Sequence, residues 1–300
     1  MIAWQTETKS PPVHSKHSCL QNFSPFCPFE GGGKAPHMQH SYLQVCEEAA
    51  RAAGALLKEK VGKVGFREKK RADLVTEADT LAQETIRRIV GESFPAHGFL
   101  GEETPGASAD SYQADRDEFC WIVDPLDGTT NFVHQVPFFC TSIALARGNE
   151  LLCGVIYNPI TEEFFSSEQG KGAFLNGVRL RVSDVEEPKD SLVAVGFPTN
   201  TPADSEDLQA FLKAVPIAQA LRRTGSTALN LAYVAAGRYD AMWGFSTKAW
   251  DIAAGILLLQ EADGVIISTE GGPVSLEKPR FLCAANQNLL NGWAQIILRT

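Results

Sequence analysis

The stretch Trp121-Ile122-Val123-Asp124-Pro125-Leu126-Asp127-Gly128-Thr129-Thr130-Asn131-Phe132 carries two carboxylates three residues apart at the end of an apolar run. The bulky residues read as a short buried strand, and Asp-Pro followed by Asp-Gly predicts a sharp break in it. Paired carboxylates delivered by a strand end into a Gly-Thr-Thr turn suit a divalent cation and the oxyanion that such a cation holds. Asp-Pro and Asp-Gly are also ordinary turn dipeptides, because Asp bonds its own backbone and Gly takes φ > 0. Spacing alone leaves these readings level, so other parts of the chain must decide.

Upstream, Asp73-Leu74-Val75-Thr76-Glu77-Ala78-Asp79 places an acid three residues after Thr76. This predicts a capping box opening a helix through Ala82, Ile86 and Ile89, and a cap alone accounts for Asp79. Gly101-Glu102-Glu103 follows the apolar pair Phe99-Leu100, repeating the arrangement at Asp124. Of six histidines, four (14, 17, 37 and 40) fall in the first forty residues, leaving His97 and His134. A His-based metal cluster or a Ser-His-Asp triad is therefore poorly supplied. The seven cysteines (19, 27, 46, 120, 140, 153 and 283) form no Cys-x-x-Cys pair. They read as reduced thiols of a cytosol-like compartment, with neither a disulfide framework nor a structural zinc site. Oxygen-ligand chemistry is what the residue supply favours.

The elements that must position these residues follow from the rest of the chain. With 44% hydrophobic and 21% charged residues in 300, the chain can bury a large core. A net charge of -9 gives no general nucleic-acid footprint. No run approaches the roughly 20 apolar residues that span a bilayer. Residues 1–40, rich in Ser, Pro, His and Gly, read as a disordered N-terminal extension. An organellar transit peptide, a non-native extension, and a start at Met38 are all open readings of it. Ser41 predicts a helix cap, with Leu43, Cys46, Ala50, Ala53 and Leu57 at helical spacing. Residues 104–118 read as an exposed loop. Runs at Phe138–Ala146, Leu151–Tyr157, Phe164–Ser167 and Ala173–Leu175 predict antiparallel sheet, with Asn176-Gly177 as a type I′ hairpin. Ser183–Asp190 reads as a connection, and beyond it strands alternate with helices, as in a layered α/β lobe. The resulting division is an α+β lobe over 41–187 carrying the acidic motifs and an α/β lobe over 188–300 completing the site.

Taken together, Gly101-Glu102-Glu103, Asp124 through Asn131, Trp250-Asp251-Ile252-Ala253-Ala254-Gly255 with Glu261-Ala262-Asp263-Gly264, and the Asp73–Asp79 segment resemble the signature segments of the inositol monophosphatase family. The likeness runs from about residue 41 to 297 in order and spacing, and motif order supplies the context that a lone match lacks. It implies a layered αβαβα sandwich, shared with fructose-1,6-bisphosphatases, and Mg²⁺-dependent hydrolysis of phosphomonoesters by metal-activated water. Two cations about 4 Å apart stabilise charge on both the attacking and the leaving oxygen.

The resemblance implies that Glu102, Asp124 and the Leu126 carbonyl hold a first Mg²⁺, and that Asp124 bridges to a second held by Asp127 and Asp251. It extends Glu102 to a third, hydrated ion. Asp79 and Thr129 would activate water, and the N–H groups of Gly128 and Thr129 would bind phosphate. Gly225-Ser226-Thr227 resembles the substrate-facing turn, alongside Asp127 and Asp251, and also reads as a bare helix cap. Lys69, Lys70 and Arg71 lie where the family often has a mobile basic loop, or form a solvated charge run. Trp250 reads as a core anchor. Many inositol-hydrolysing members have a Glu seven residues before the Trp-Asp acid, where Gly244 stands here. That weakens inositol as leaving group and leaves Trp243 or Ser246 to build another wall. The expected substrate is inositol 1-phosphate or a similar small polyol or sugar phosphate. Histidinol phosphate, fructose 1,6-bisphosphate, a nucleotide 3′- or 2′-phosphate, and a non-catalytic interaction role are the alternatives. A lithium-sensitive homodimer completes what the resemblance implies, with a cytoplasmic location expected from the cysteines.

Overall fold

The computed structural model describes residues 41–70, 73–106, 112 and 118–298, without the side chains of 68–70, 73 and 74. The reading of residues 1–40 and that of Arg71 lie outside the described residues, as do the side chains of Lys69 and Lys70.

Helix α1 (Tyr42–Lys60) begins at a capping box in which Ser41 and Gln44 exchange hydrogen bonds, and it buries Val45, Cys46, Ala49, Ala50, Ala53 and Leu57 along one face. Strands β1 (Phe66–Lys70) and β2 (Asp73–Thr76) form an antiparallel pair, so the backbone of the basic run is a hairpin arm. Helix α2 (Glu77–Ser93) starts at the expected Thr76/Asp79 box. A seven-stranded sheet follows, comprising β3 (Gly98–Gly101), β4 (Phe119–Asp127), β5 (Cys140–Arg147), β6 (Glu150–Asn158), β7 (Glu163–Glu168), β8 (Gly172–Leu175) and β9 (Val178–Arg179) in that spatial order. The short helix α3 (Thr129–Val133) lies between β4 and β5. Asn176 and Gly177 both have positive φ, 50° and 81°, as the type I′ turn between β8 and β9 requires.

The second sheet has five strands in the order β11 (Ala220–Arg222), β10 (Leu192–Val195), β12 (Ala241–Gly244), β14 (Phe281–Ala284) and β13 (Val265–Ser268). Its helices are α4 (Glu206–Ala214), α5 (Thr227–Ala235), α6 (Ala249–Glu261) and α7 (Gln287–Ile297). Helices α1 and α2 cover the outer face of the seven-stranded sheet, and α4 and α7 pack together, with α7 on β13 and β14. Helices α5 and α6 pack against each other and touch strands of both sheets. The order of layers is therefore α1α2, seven strands, α5α6, five strands, α4α7, which is the αβαβα sandwich. The middle layer explains the composition of α6: a helix covered on all sides is apolar all round, and ten of its residues from Ala249 to Leu259 are buried.

Three expectations change. The central strand does not stop at Asp124-Pro125; it continues to Asp127 through a register shift. Tyr112, within the supposed exposed loop, is buried and its hydroxyl donates to the Gly148 carbonyl. Trp243 packs in the core beside Trp293, with ring centroids 5.6 Å apart, and does not line the cavity beside the acidic motifs.

Candidate active site

Residues three apart on a regular strand point to opposite faces. Asp124 and Asp127 escape this because Asp124 pairs with Ser142 and Asp127 with Cys140, so the β4 chain takes one residue more than β5 between them. That bulge puts both carboxylates on one face, and Pro125, which has no N–H for a ladder, sits within it. The turn closes at Gly128, whose φ of 96° is left-handed and whose Cβ would come within 3.1 Å of the Phe138 carbonyl oxygen.

Each remaining acid reaches the same place by its own route. Strand β3 runs parallel to β4 and ends opposite Val123, and the Glu102 N–H donates to the Val123 carbonyl at 3.1 Å. This sets Glu102 beside Asp124. Gln83 on α2 holds the following turn by accepting the Glu103 N–H at 2.9 Å. The start of α6 is tied to β5 by Ser142 Oγ donating to the Trp250 carbonyl at 3.5 Å, which brings Asp251 over the residue paired with Asp124. Asp251 in turn accepts the Lys248 N–H at 2.7 Å. Asp127 Oδ2 accepts Ser226 Oγ at 2.6 Å and Ala228 N at 2.7 Å, so the N-terminus of α5 clamps it.

Asp79, 1% exposed, joins the group from α2. Its Oδ2 accepts Thr76 N at 2.8 Å and Thr76 Oγ1 at 2.7 Å, while Thr129 Oγ1 lies 3.1 Å from its Oδ1. The cap and the contact to Thr129 therefore coexist: one oxygen serves each.

The electrostatics follow from four acids in one buried place. Burial, then Glu102, Asp127 and Asp251, raise the Asp124 pKa well above the carboxylate range. Burial, then Asp127 and Glu102, do the same to Asp251, with Lys248 opposing. Burial pushes Asp127 up to about 6 against its hydrogen bonds from Ser226, Ala228 and Thr227. Asp79 is raised by burial, against the bonds from Thr76. Among the described residues no three His, Cys, Asp or Glu side chains are drawn in as a ready-made metal cage. The mutual shifts nonetheless place the carboxylates within electrostatic reach of one another. An all-oxygen donor set of this kind fits Mg²⁺.

The cavity beside these acids has a volume of about 440 Å³. Glu102, Asp127, Gly128, Thr129, Gly225, Ser226, Thr227 and Asp251 all line it, whereas Asp79, Asp124 and Leu126 lie behind the surface. Trp250 is 5% exposed and both packs and lines. Asn131, Arg223 and Lys248 also line the cavity, and the sequence alone assigned none of them a role there. Asn131 Nδ2 donates to Phe138 O at 2.6 Å and Thr224 O at 2.9 Å, joining the β4 turn to the α5 turn. Gly225 has φ 93° and a Cβ there would stand 3.0 Å from Asn131 Nδ2, so this junction requires glycine. Arg223 and Lys248 add positive charge at the lining, and a basic residue just before Thr224-Gly225-Ser226 was the available clue.

Residues 38–299 match the model of the inositol monophosphatase family. The chain is 41% identical over 242 residues to the Nus factor SuhB of Pseudomonas aeruginosa, covering 79% of this chain and 88% of that protein. It is 40% identical to an inositol-1-monophosphatase of Rhizobium meliloti, covering 76% and 84% respectively. Among solved structures, the extragenic suppressor protein SuhB of Bartonella henselae superposes with a TM-score of 0.77 at 38% identity, over 84% of this chain and 96% of that one. With the fold, the carboxylate set and these matches in agreement, the chain belongs to the inositol monophosphatase family of phosphomonoesterases.

Proposed function

We propose that this protein is a Mg²⁺-dependent hydrolase of small polyol or sugar phosphate monoesters, inositol 1-phosphate among them, using two or three ions. The observation that carries the reading is the convergence of Glu102, Asp124, Asp127 and Asp251 beside the Gly128-Thr129 turn at one cavity. The family is generally Mg²⁺-dependent. In this reading Glu102, Asp124 and the Leu126 carbonyl would hold one ion, and Asp124, Asp127 and Asp251 would hold a second. The ions supply Lewis-acid stabilisation of the attacking and leaving oxygens. The protein's own groups do the rest. The N–H groups of Gly128 and Thr129 bind phosphate oxygens. Thr129 Oγ1, 3.1 Å from Asp79 Oδ1, orients the attacking water and passes its proton towards that carboxylate. Asp127 and Asp251, both at the cavity, are also the groups that meet the leaving group's hydroxyls. A cytoplasmic homodimer belongs to the same proposal.

A purely interaction-based role is not favoured, because such a protein would have no need to keep every ligand. The test is Asp124→Asn, which keeps the side-chain shape and removes the bridging charge. Mg²⁺-dependent phosphate release is expected to vanish, while the thermal midpoint without Mg²⁺ holds or rises, since a buried like-charged carboxylate has been neutralised. Undiminished turnover refutes the metal assignment.

A further inference from the structure

Strands β10 and β11 are parallel, as are β10 and β12, so the C-terminal ends of all three lie at one edge of the five-stranded sheet. The loops leaving those ends carry Phe197 to Asn200, Arg223, and Ser246 to Lys248, and all of them line the cavity. A parallel edge of this kind is where α/β folds place ligands. These loops form the leaving-group half, since the phosphate half belongs to the β4 turn.

The chemistry of this half differs from a wall built for a neutral polyol. At position 244 a Cβ would stand 2.7 Å from Thr247 Cγ2 and 3.0 Å from Phe281 Cε1, so the place is filled and has no room for an acidic side chain. The carboxylates lining the cavity among the described residues are Glu102, Asp127 and Asp251, all already in the hydrolytic set. What these loops add instead is cationic. Arg223 Nη2 donates to Phe197 O at 3.0 Å, and its guanidinium carbon lies 5.1 Å from the centre of the Phe197 ring. Among the described residues Arg223 has no ion pair, whereas the Lys248 charge acts on Asp251. Ser246 Oγ donates to Asp207 Oδ2 at 2.7 Å, and Asp207 is fixed further by the Phe245 N–H at 3.1 Å. With its proton held by Asp207, the Ser246 oxygen is left as an acceptor for a hydroxyl.

We infer that the preferred substrate is a phosphomonoester whose leaving group is hydroxylated and carries a second anionic group, with Arg223 as the residue that selects for that anion. A guanidinium anchored on one side by a carbonyl and an aromatic ring still has N–H donors for a phosphate or carboxylate. Lys248, half-buried at the lining, adds a second charge that it shares with Asp251. This inference rests on the phosphomonoesterase reading above.

The test compares matched esters with Mg²⁺: inositol 1-phosphate against inositol 1,4-bisphosphate, and glucose 1-phosphate against glucose 1,6-bisphosphate, each scored by release of the 1-phosphate. The bisphosphates are expected to be favoured in kcat/KM by about tenfold or more, mainly through KM, as a charge-assisted hydrogen bond would give. That ratio should shrink at high salt. Arg223→Gln should bring it close to unity, and Arg223→Lys should recover part of it; Arg223 is exposed, so neither variant threatens folding. A wild-type ratio of one, or a ratio that survives Arg223→Gln, overturns the inference while leaving the phosphomonoesterase reading intact. Absence of Mg²⁺-dependent turnover on every ester overturns both.

Discussion

Replacing Thr129 by Val and Asp79 by Asn, singly and together, asks whether the two side chains form one proton path. Thr129 Oγ1 has a single proton and two acceptors in reach, Asp79 Oδ1 at 3.1 Å and the Leu126 carbonyl at 3.2 Å. Asp79 cannot turn away, because Thr76 holds its other oxygen through both N and Oγ1. Valine keeps the size of threonine without the hydroxyl, and asparagine keeps the shape of aspartate without the charge. A positioned general base is worth about 10²–10⁴-fold, which is about 2.7–5.5 kcal/mol at about 1.36 kcal/mol per decade. Each single variant should lose that much in kcat with little change in KM. The double variant should be no worse than the poorer single, because either change breaks the same path. Steady-state phosphate release at saturating Mg²⁺ measures this, with thermal unfolding alongside. Asp79→Asn weakens the α2 capping box by about 1 kcal/mol, yet it also removes a carboxylate that burial disfavours. The thermal midpoint should therefore move by only a few degrees. Losses that multiply in the double variant, or retention of wild-type kcat by either single, would refute the shared path.

Ser226→Ala removes the 2.6 Å donor to Asp127 while leaving the Ala228 N–H. Calorimetric titration should show Mg²⁺ affinity weakened by about tenfold, the worth of one charge-assisted bond; a raised KM for the ester at unchanged Mg²⁺ affinity would mean instead that Ser226 touches substrate. Gly225→Ala forces a side chain into φ 93° and against Asn131, so a loss of more than about 1 kcal/mol in denaturant unfolding is expected. His97 stacks between Phe94 and Phe119 at centroid distances of 4.9 and 4.6 Å, and burial lowers its pKa from 6.5. The folded state thus binds its proton less readily than the unfolded chain. The His97 contribution to stability is full above the unfolded pKa and declines as pH falls from there through the lowered folded value. His97→Phe should flatten that part of the pH–stability curve, and an unaltered curve would sink the assignment.

The helix cap at Ser41, the capping box at Thr76 and the Asn176-Gly177 turn were legible from sequence because each depends on neighbours within a few residues. The acidic motifs were legible for another reason. Their order and spacing carry the resemblance to the inositol monophosphatase family, and it was that resemblance which implied a common site. Contact between sheets has no such local signature. Spacing puts Asp124 and Asp127 on opposite faces of a strand, and only the pairing with Ser142 and Cys140 reveals the bulge that reunites them. Likewise, Ser226 reads as a cap in isolation, and only the packing of α5 shows that the same hydroxyl grips Asp127. Glycine at 244 says nothing by itself of its surroundings, and only the fold shows Thr247 and Phe281 closing the space beside it. By itself the sequence determined which residue types were on hand, carboxylates in plenty and few histidines, and so favoured oxygen-ligand chemistry, because donor chemistry resides in side-chain type. Tertiary structure alone decided which oxygen of each acid is held, and which charges face the leaving group, because those depend on chains meeting across a hundred residues.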